Sequence, residues 1–361
     1  MALLMTFGWR MLETNDLSCH LQLSYQLKSL ESRVVDQDKW KTGSSGDVDY
    51  VIKCVYYLVS RRKDFIVSNN MRQTISVWSM EYREFGRSKV KVSAVGMGTY
   101  YGFLSIASSK IFGYQRSRED KVSALKKGLE LGINLIDTAE IYCTEPLVGE
   151  AIRDFSRDDL FIATKVLPYH LRYDQVLEAA ERSLRRLKTS YIDLYQIHFP
   201  NSRVPIKETM SAMEKLVEKG MVRYIGLSNF SLEQTKEAEQ ALSRYELASC
   251  QIEYSLKKRD AESDLLPYCF QNDIAVLSYR PLARGLLADP PGHLKETICR
   301  ISGKYGGKTP AQIALNWLLA KNKLIFPIPR ASKPERLIED VGATGWSLSS
   351  EDMSDLEKSV R

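Results

Sequence analysis

From Met80 onward, eight short apolar runs alternate with eight helical patterns, and that rhythm is the strongest restriction on how the chain can fold. The runs are Val92–Gly96, Asn134–Ile136, Leu160–Ala163, Ile192–Ile197, Arg223–Leu227, Ala248–Ile252, Ile274–Leu277 and Leu324–Pro327. The helical patterns are Glu119–Leu131, Pro146–Phe155, Tyr173–Leu187, Ile206–Glu218, Leu232–Ser243, Ala261–Asn272, Pro310–Ala320 and Pro334–Val341. Val176, Leu177, Ala180, Leu184 and Leu187 follow the helical period that lines one face with apolar side chains. Ser231 with Gln234 three residues on forms a capping pattern, Gly220 closes one helix and Pro310 opens another. Strands joined through helices run parallel, because a crossover is needed to return the chain to the same end of the sheet. Eight such units over about 280 residues predict an α/β fold of the (β/α)8 TIM-barrel type, for which ~250 residues are usual. An open doubly wound sheet would carry G-x-G-x-x-G after its first strand, and Gly96-Met97-Gly98 lacks the third glycine. Ahead of the first unit, Glu81–Phe85 and Lys89–Val95 alternate around Gly86-Arg87-Ser88 and predict a β-hairpin.

Residues 1–79 differ in kind: short apolar pieces without sustained period, a linker-like Thr42–Gly46 and a polar Ser68–Thr74. They are expected to form a weakly ordered extension, with the barrel occupying residues 80–361. The net charge of +6 is a small difference between 51 basic and 45 acidic residues, and no basic block exceeds Arg61-Arg62-Lys63, which argues against nucleic acid as a partner. Val51–Ser60 falls far short of the ~20 apolar residues of a membrane helix. Met1–Trp9 lacks the basic start of a signal peptide. Cys19, Cys54, Cys143, Cys250, Cys269 and Cys299 form no C-x-x-C pair, as expected of reduced thiols in a cytoplasmic protein. No metal site is expected, since a barrel hydrolase needs histidine ligands and only His20, His170, His198 and His293 exist.

The residues that end successive strands are Asp137, Lys165, His198, Ser228-Asn229, Gln251, Tyr279 and Arg330. In a barrel all of these reach the same mouth, where active sites are built. Singly each has a plainer explanation: an interior ion pair, a core histidine, one of 19 tyrosines. Together, with Tyr142 in the loop after Asp137, they make a general acid and its surroundings. A phenol is a weak acid with a usual pKa of ~10. A buried Lys165 beside Tyr142 is expected to favour the phenolate and lower that pKa, while Asp137 holds the lysine charged. His198 adds a neutral donor that can orient a carbonyl oxygen. The Pro- and Gly-rich segment Arg280–Thr309 exceeds the usual ~2–6-residue loop and is expected to serve this face.

At these residues the sequence resembles the aldo-keto reductase superfamily, from Met80 to Arg361. The motifs are Leu135-Ile-Asp-Thr-Ala-Glu-Ile-Tyr142, Ala163-Thr-Lys165, Asp193-Leu-Tyr-Gln-Ile-His198, Gly226-Leu-Ser-Asn-Phe230, Gln251-Ile-Glu-Tyr-Ser255 and Ile328-Pro-Arg-Ala-Ser-Lys-Pro-Glu-Arg336. The resemblance implies a barrel plugged by an N-terminal β-hairpin, here Glu81–Val95, and NADPH-dependent reduction of an aldehyde or ketone, with NADP+ as the product cofactor and no protein partner. It assigns Tyr142 as general acid, Lys165 and Asp137 as its tuning pair, and His198 as the residue orienting the carbonyl. Ser228, Asn229 and Gln251 match positions that hold the nicotinamide carboxamide, and Tyr279 the aromatic stacked on its ring. Pro281, Leu282 and Gly285 match the loop over the pyrophosphate. Arg330 and Arg336 match the grip on the 2′-phosphate, and Glu339 and Asp340 the adenine contacts. Ala331 stands where many relatives have Ser, Asp340 where Asn is common and Cys143 where Gly is frequent. The short tail and Tyr279-Arg-Pro-Leu-Ala-Arg-Gly-Leu-Leu287 are similar to the branch of aryl-alcohol dehydrogenases and potassium-channel β subunits. The second of these implies the alternative function, a nicotinamide-binding, redox-sensing regulatory subunit with slow turnover. Tyr100, Tyr101, Phe103 and Phe199 are expected to wall an open pocket for aryl or medium apolar aldehydes. Members of the family often begin as Met80-Glu-Tyr-Arg-Glu-Phe-Gly does, so Met80 is the expected natural start.

Overall fold

Eight parallel strands, paired in chain order, form the centre of the computed structural model, which describes residues 80–112 and 117–360. The expectations for residues 1–79 lie outside the described residues. The strands are β3 (Met97–Gly98), β4 (Leu135–Asp137), β5 (Phe161–Val166), β6 (Ile192–Ile197), β7 (Val222–Ser228), β8 (Leu247–Glu253), β9 (Ala275–Tyr279) and β10 (Ile325–Pro327). The sheet curls until its edges meet. The Gly96 N–H donates to Pro327 O at 2.9 Å, the Gly98 N–H to Pro329 O at 2.7 Å, and the Ala331 N–H to Gly98 O at 3.0 Å. A Cβ at Gly98 would lie 2.8 Å from the Ile328 carbonyl oxygen, so the seam closes only because that residue has none.

The helices are α1 (Phe103–Phe112), α2 (Arg118–Glu130), α3 (Glu145–Ala151), α4 (Tyr173–Leu187), α5 (Ile206–Glu218), α6 (Leu232–Ala241), α7 (Leu265–Gln271), α8 (Gly292–Lys304), α9 (Pro310–Lys321), α10 (Pro334–Val341) and α11 (Ser350–Ser359). The capping box at Ser231 and Gln234 is present, and Thr309 with Gln312 forms a second ahead of Pro310. The Arg280–Thr309 segment contains α8, which its Gly and Pro residues hide from a sequence reading. Its buried Leu294, Thr297, Ile298 and Ile301 nevertheless keep helical spacing.

The run Val92–Gly96 is not a barrel strand. Lys91–Ser93 (β2) pairs antiparallel with Tyr82–Glu84 (β1), and the first barrel strand begins four residues after Ser93, at Met97. Ser93 ends the hairpin arm: its backbone N–H donates to Asn134 Oδ1 at 2.7 Å and its hydroxyl to the Val95 carbonyl at 2.9 Å, bending the chain.

The hairpin plugs the barrel floor. Phe85 and Val92, both fully buried, join Leu135, Phe161, Leu194 and Phe326 in one apolar cluster. The Phe85 ring centroid lies 4.7 Å from that of Phe161 and 5.1 Å from that of Phe326. Arg87 fixes the hairpin tip outside, donating from Nε to the Asn272 carbonyl at 2.6 Å and pairing with Glu239 at 2.8 Å. The second, larger core lies between sheet and helices and includes Trp317 and Tyr254. Phe85→Ala is expected to lower the unfolding free energy by about 3–5 kcal/mol in denaturant titration. A loss under about 1 kcal/mol would show that the hairpin does not seal the barrel.

Candidate active site

At the opposite end of the barrel a charged pair is sealed among the strands. β4 ends on Asp137 and β5 carries Lys165, and both side chains are buried. Lys165 Nζ donates to Asp137 Oδ1 at 2.7 Å and to the Thr138 carbonyl at 2.9 Å. Asp137 Oδ2 accepts from Gln251 Nε2 at 2.8 Å and from Gln196 Nε2 at 3.5 Å. Burial lowers the Lys165 pKa, and the charges of Asp137 and Glu145 oppose that shift. A buried ion pair is tolerable when further hydrogen bonds support it, and here Thr138, Gln251 and Gln196 supply them.

Tyr142 stands at the end of a short 3-10 turn, Glu140–Tyr142, that follows β4. Its ring centroid is 5.0 Å from Lys165 Nζ, and its hydroxyl is 3.4 Å from His198 Nε2. The Tyr142 and His198 rings meet edge-on at 5.4 Å, and the imidazole stacks on Phe199 at 4.9 Å. The expected lowering of the phenol's pKa is not found. Burial first, then the charge of Asp137 and the neighbouring Tyr279 and Tyr100, push the Tyr142 pKa well above its ordinary 10, with Arg280 the opposing influence. The physical reason is the loss of water around the buried phenol, to which the Asp137 carboxylate adds. His198 moves the other way: burial, then the Lys165 charge, bring it down to about 3. Its imidazole is therefore neutral at physiological pH. His198 Nδ1 is buried without a hydrogen-bond partner among the described residues.

Beside this group runs a hydrogen-bonded polar row. The Tyr279 hydroxyl donates to Asn229 Oδ1 at 2.8 Å, and Asn229 Nδ2 reaches Ser228 Oγ and the His198 carbonyl, both at 2.9 Å. Asn229 sits at φ 63°, a left-handed conformation that asparagine tolerates better than most residues. After β9 the chain turns through positive φ at Arg280, Ala283, Arg284 and Gly285, with Pro281 buried and Leu282 half-buried. Arg330 lies beside Gly98 across the barrel seam. Arg330, Lys333 and Arg336 are exposed, and none has a salt-bridge partner among the described residues. Asp340 is buried, and burial followed by the Glu339 charge pushes its carboxyl pKa well up, with Arg336 the opposing influence. Glu339 is half-buried, its carbonyl accepting from Gln312 Nε2 at 3.1 Å.

Tyr100 and Phe199, 43% and 46% exposed, flank Tyr142 and His198 at the mouth, with Tyr100 5.2 Å from the Tyr142 ring. Phe103 is 75% exposed on α1. Tyr101 is tied to the Arg330 segment: its hydroxyl donates to the Ala331 carbonyl at 2.9 Å, and Lys121 Nζ lies 4.6 Å from its ring centroid. Gln196 was missed from sequence, although it shares the inward alternation of Leu194 and His198 along β6.

The family model described as Aldo/keto reductase family matches residues 101–361. The chain is 35% identical over 274 residues to methylglyoxal reductase YeaE of Escherichia coli (strain K12), covering 74% of this chain and 91% of that protein. It superposes on the crystal structure of the thermostable aldo-keto reductase Tm1743, in complex with the inhibitor epalrestat, with a TM-score of 0.70 at 40% identity, over 78% of this chain and 100% of the other. An aldo/keto reductase from Klebsiella pneumoniae, in complex with NADP and acetate, is similar at a TM-score of 0.66 and 33% identity, over 76% of this chain and 94% of the other. Among the described residues no helix is long and apolar enough to cross a membrane.

The direction of the Tyr142 shift has a direct test. A phenol with a raised pKa stays protonated as pH rises, so ultraviolet difference titration of the cofactor-free protein against Tyr142→Phe should show no phenolate from Tyr142 below about pH 10. A phenolate ionising near neutrality would mean that Lys165 dominates the site.

Proposed function

Because the chain belongs to the aldo/keto reductase family, an NADP-dependent oxidoreductase family, we propose that it reduces aldehydes and ketones to alcohols with NADPH, and that Tyr142 is the general acid. The observation that carries this reading is the meeting of Tyr142 Oη with His198 Nε2 at 3.4 Å above the buried Lys165–Asp137 pair. The residues present suit the cofactor. Three exposed cations without carboxylate partners, Arg330, Lys333 and Arg336, form a fit for a phosphate, with arginine forks best suited to it. Ser228, Asn229, Gln251 and Tyr279 would hold the nicotinamide end, and Pro281, Leu282 and Gly285 would border the pyrophosphate. Glu339 and the buried Asp340 would face the adenine.

When bound, NADPH supplies the hydride. His198, neutral, orients the carbonyl oxygen by a hydrogen bond. Tyr142 gives its hydroxyl proton to the oxygen as negative charge develops there, which requires the phenol to be protonated beforehand. Its raised pKa satisfies that requirement. Lys165, 5.0 Å from the ring centroid, then steadies the phenolate until a proton returns. Half-exposed Tyr100 and Phe199 favour flat apolar substituents, hence aryl and medium apolar aldehydes.

NADPH oxidation with aryl aldehydes and methylglyoxal as probes tests the reading. Tyr142→Phe should cost about 10²–10⁴-fold in kcat while leaving NADPH affinity in place, and unchanged turnover would overturn the acid assignment. Tight NADPH binding without turnover in the wild type would favour a redox-sensing regulatory subunit. Arg336→Ala should raise the Kd for NADPH by about one to two decades, roughly 1.4–2.7 kcal/mol, and leave NADH nearly unaffected. Equal losses for both cofactors would make Arg336 structural.

A further inference from the structure

The turn bearing Tyr142 is bracketed by two carboxylates, and each is held by an arginine of α4. Arg182 Nη2 lies 3.5 Å from Glu140 Oε1, and Arg186 Nε donates to Glu145 Oε2 at 2.6 Å. Four residues apart, these arginines stand one turn apart on one helix face. Glu145 is fully buried and also accepts from Thr164 Oγ1 at 2.7 Å, next to Lys165 on β5. Glu140 has only 8% of its side chain exposed. It accepts from the Leu167 N–H at 3.1 Å, and His170 Nδ1 lies 3.1 Å from its carboxylate. Three donors from the loop after β5 and from α4 thus converge on one carboxylate that the reaction does not use.

A solvated turn has no need of such an arrangement, and burying a carboxylate is costly unless it is fully paired. Tyr142 supplies the reason. Among the described residues its hydroxyl has one long contact, the 3.4 Å to His198, and its backbone N–H closes the turn on Ala139 O at 3.0 Å. The placement of the phenol is therefore set by the backbone of the Glu140–Tyr142 turn more than by contacts of the hydroxyl. We infer that Glu140 is a positioning residue for proton transfer, locking that turn to α4 and to the loop after β5 so that the Tyr142 hydroxyl stays against His198. This rests on the reading of Tyr142 as the acid. A misplacement of about 1 Å can cost 10²-fold in rate, so the clamp's effect should appear in kcat.

A double-mutant cycle read by single-turnover NADPH oxidation tests it. Glu140→Ala should lower kcat by about 10–100-fold with the Kd for NADPH, by fluorescence, within about twofold of wild type. Glu140→Gln, which keeps the shape and one acceptor, should lose less. In the Tyr142→Phe background Glu140→Ala should cost nothing further. Equal losses in both backgrounds, or a parallel rise in the NADPH Kd, would make Glu140 mere scaffolding and overturn the inference. A large loss in Tyr142→Phe with none in Glu140→Ala overturns the positioning role alone, whereas full activity in Tyr142→Phe overturns the acid assignment and this role with it. Should Glu140→Ala not fold, Arg182→Ala, whose side chain is 34% exposed, carries the same cycle with a smaller loss expected.

Discussion

The Lys165–Asp137 pair is the interaction on which the upper half of the barrel depends. Two opposite charges in a desolvated interior are stable only while each remaining lone pair and proton is met. The partners here come from around the sheet: Thr138 after β4, Gln196 on β6 and Gln251 on β8. The barrel must be closed and in register for all of them to reach Asp137 and Lys165 together. Removing one partner of such a pair costs about 3–5 kcal/mol, because the other is left buried and uncompensated. The pair therefore couples the geometry of the mouth to closure of the fold. At the other end Phe85 and Val92 seal the floor with purely apolar contacts, so one barrel carries a polar ceiling and an apolar base.

The same desolvation shapes the acid–base chemistry. It pushes the Tyr142 phenol up and the His198 imidazole down to about 3, leaving both neutral through the physiological range. A donor that must yield a proton to a developing oxyanion is best kept protonated until that charge appears, and burial does this without a dedicated charged partner. The expectation that the lysine would lower the phenol's pKa treated it as a free cation, whereas its charge is already matched by Asp137 at 2.7 Å.

Much of this architecture was legible in the chain because barrel geometry turns a one-dimensional pattern into a ring. Asp137, Lys165, Gln251 and Tyr279 end apolar runs, and strand direction alone brings them to one face. What was not legible lies where the same residue types also occur for ordinary reasons. Arg182 and Arg186 read as the solvated face of α4, and nothing in their spacing tells a carboxylate-binding arginine from an exposed one. Glu140 reads as a polar loop residue. Tyr101 reads as an aromatic at the mouth, but its hydroxyl is taken by the Ala331 carbonyl. α8 hides behind the Gly and Pro residues around it, and Val92–Gly96 reads as a barrel strand because hairpin arms and barrel strands share the same apolar pattern. The cofactor roles proposed for Ser228, Asn229, Gln251, Tyr279, Arg330 and Arg336 rest on resemblance to the family rather than on spacing.

Backbone strain follows the same division. Of the nine non-glycine residues with positive φ among the described residues, five lie in loops at the mouth: Cys143, Asn229, Arg280, Ala283 and Arg284. Each such residue costs of order 1–3 kcal/mol and persists only where its surroundings over-determine it. Asn229 has its amide bonded at both ends, and Arg280 is held by Glu253 at 2.8 Å. Cys143, at φ 57°, directly follows Tyr142. The turn before it is closed on Ala139 and anchored through Glu140, which leaves the left-handed step as the means by which the chain leaves Tyr142 and enters α3. The strain is thus carried by a turn that is fastened on both sides, and the fastening is supplied by helices and strands whose own stability comes from the apolar floor and the outer core. The loop bearing Tyr142 can be bent this far because the barrel beneath it is not.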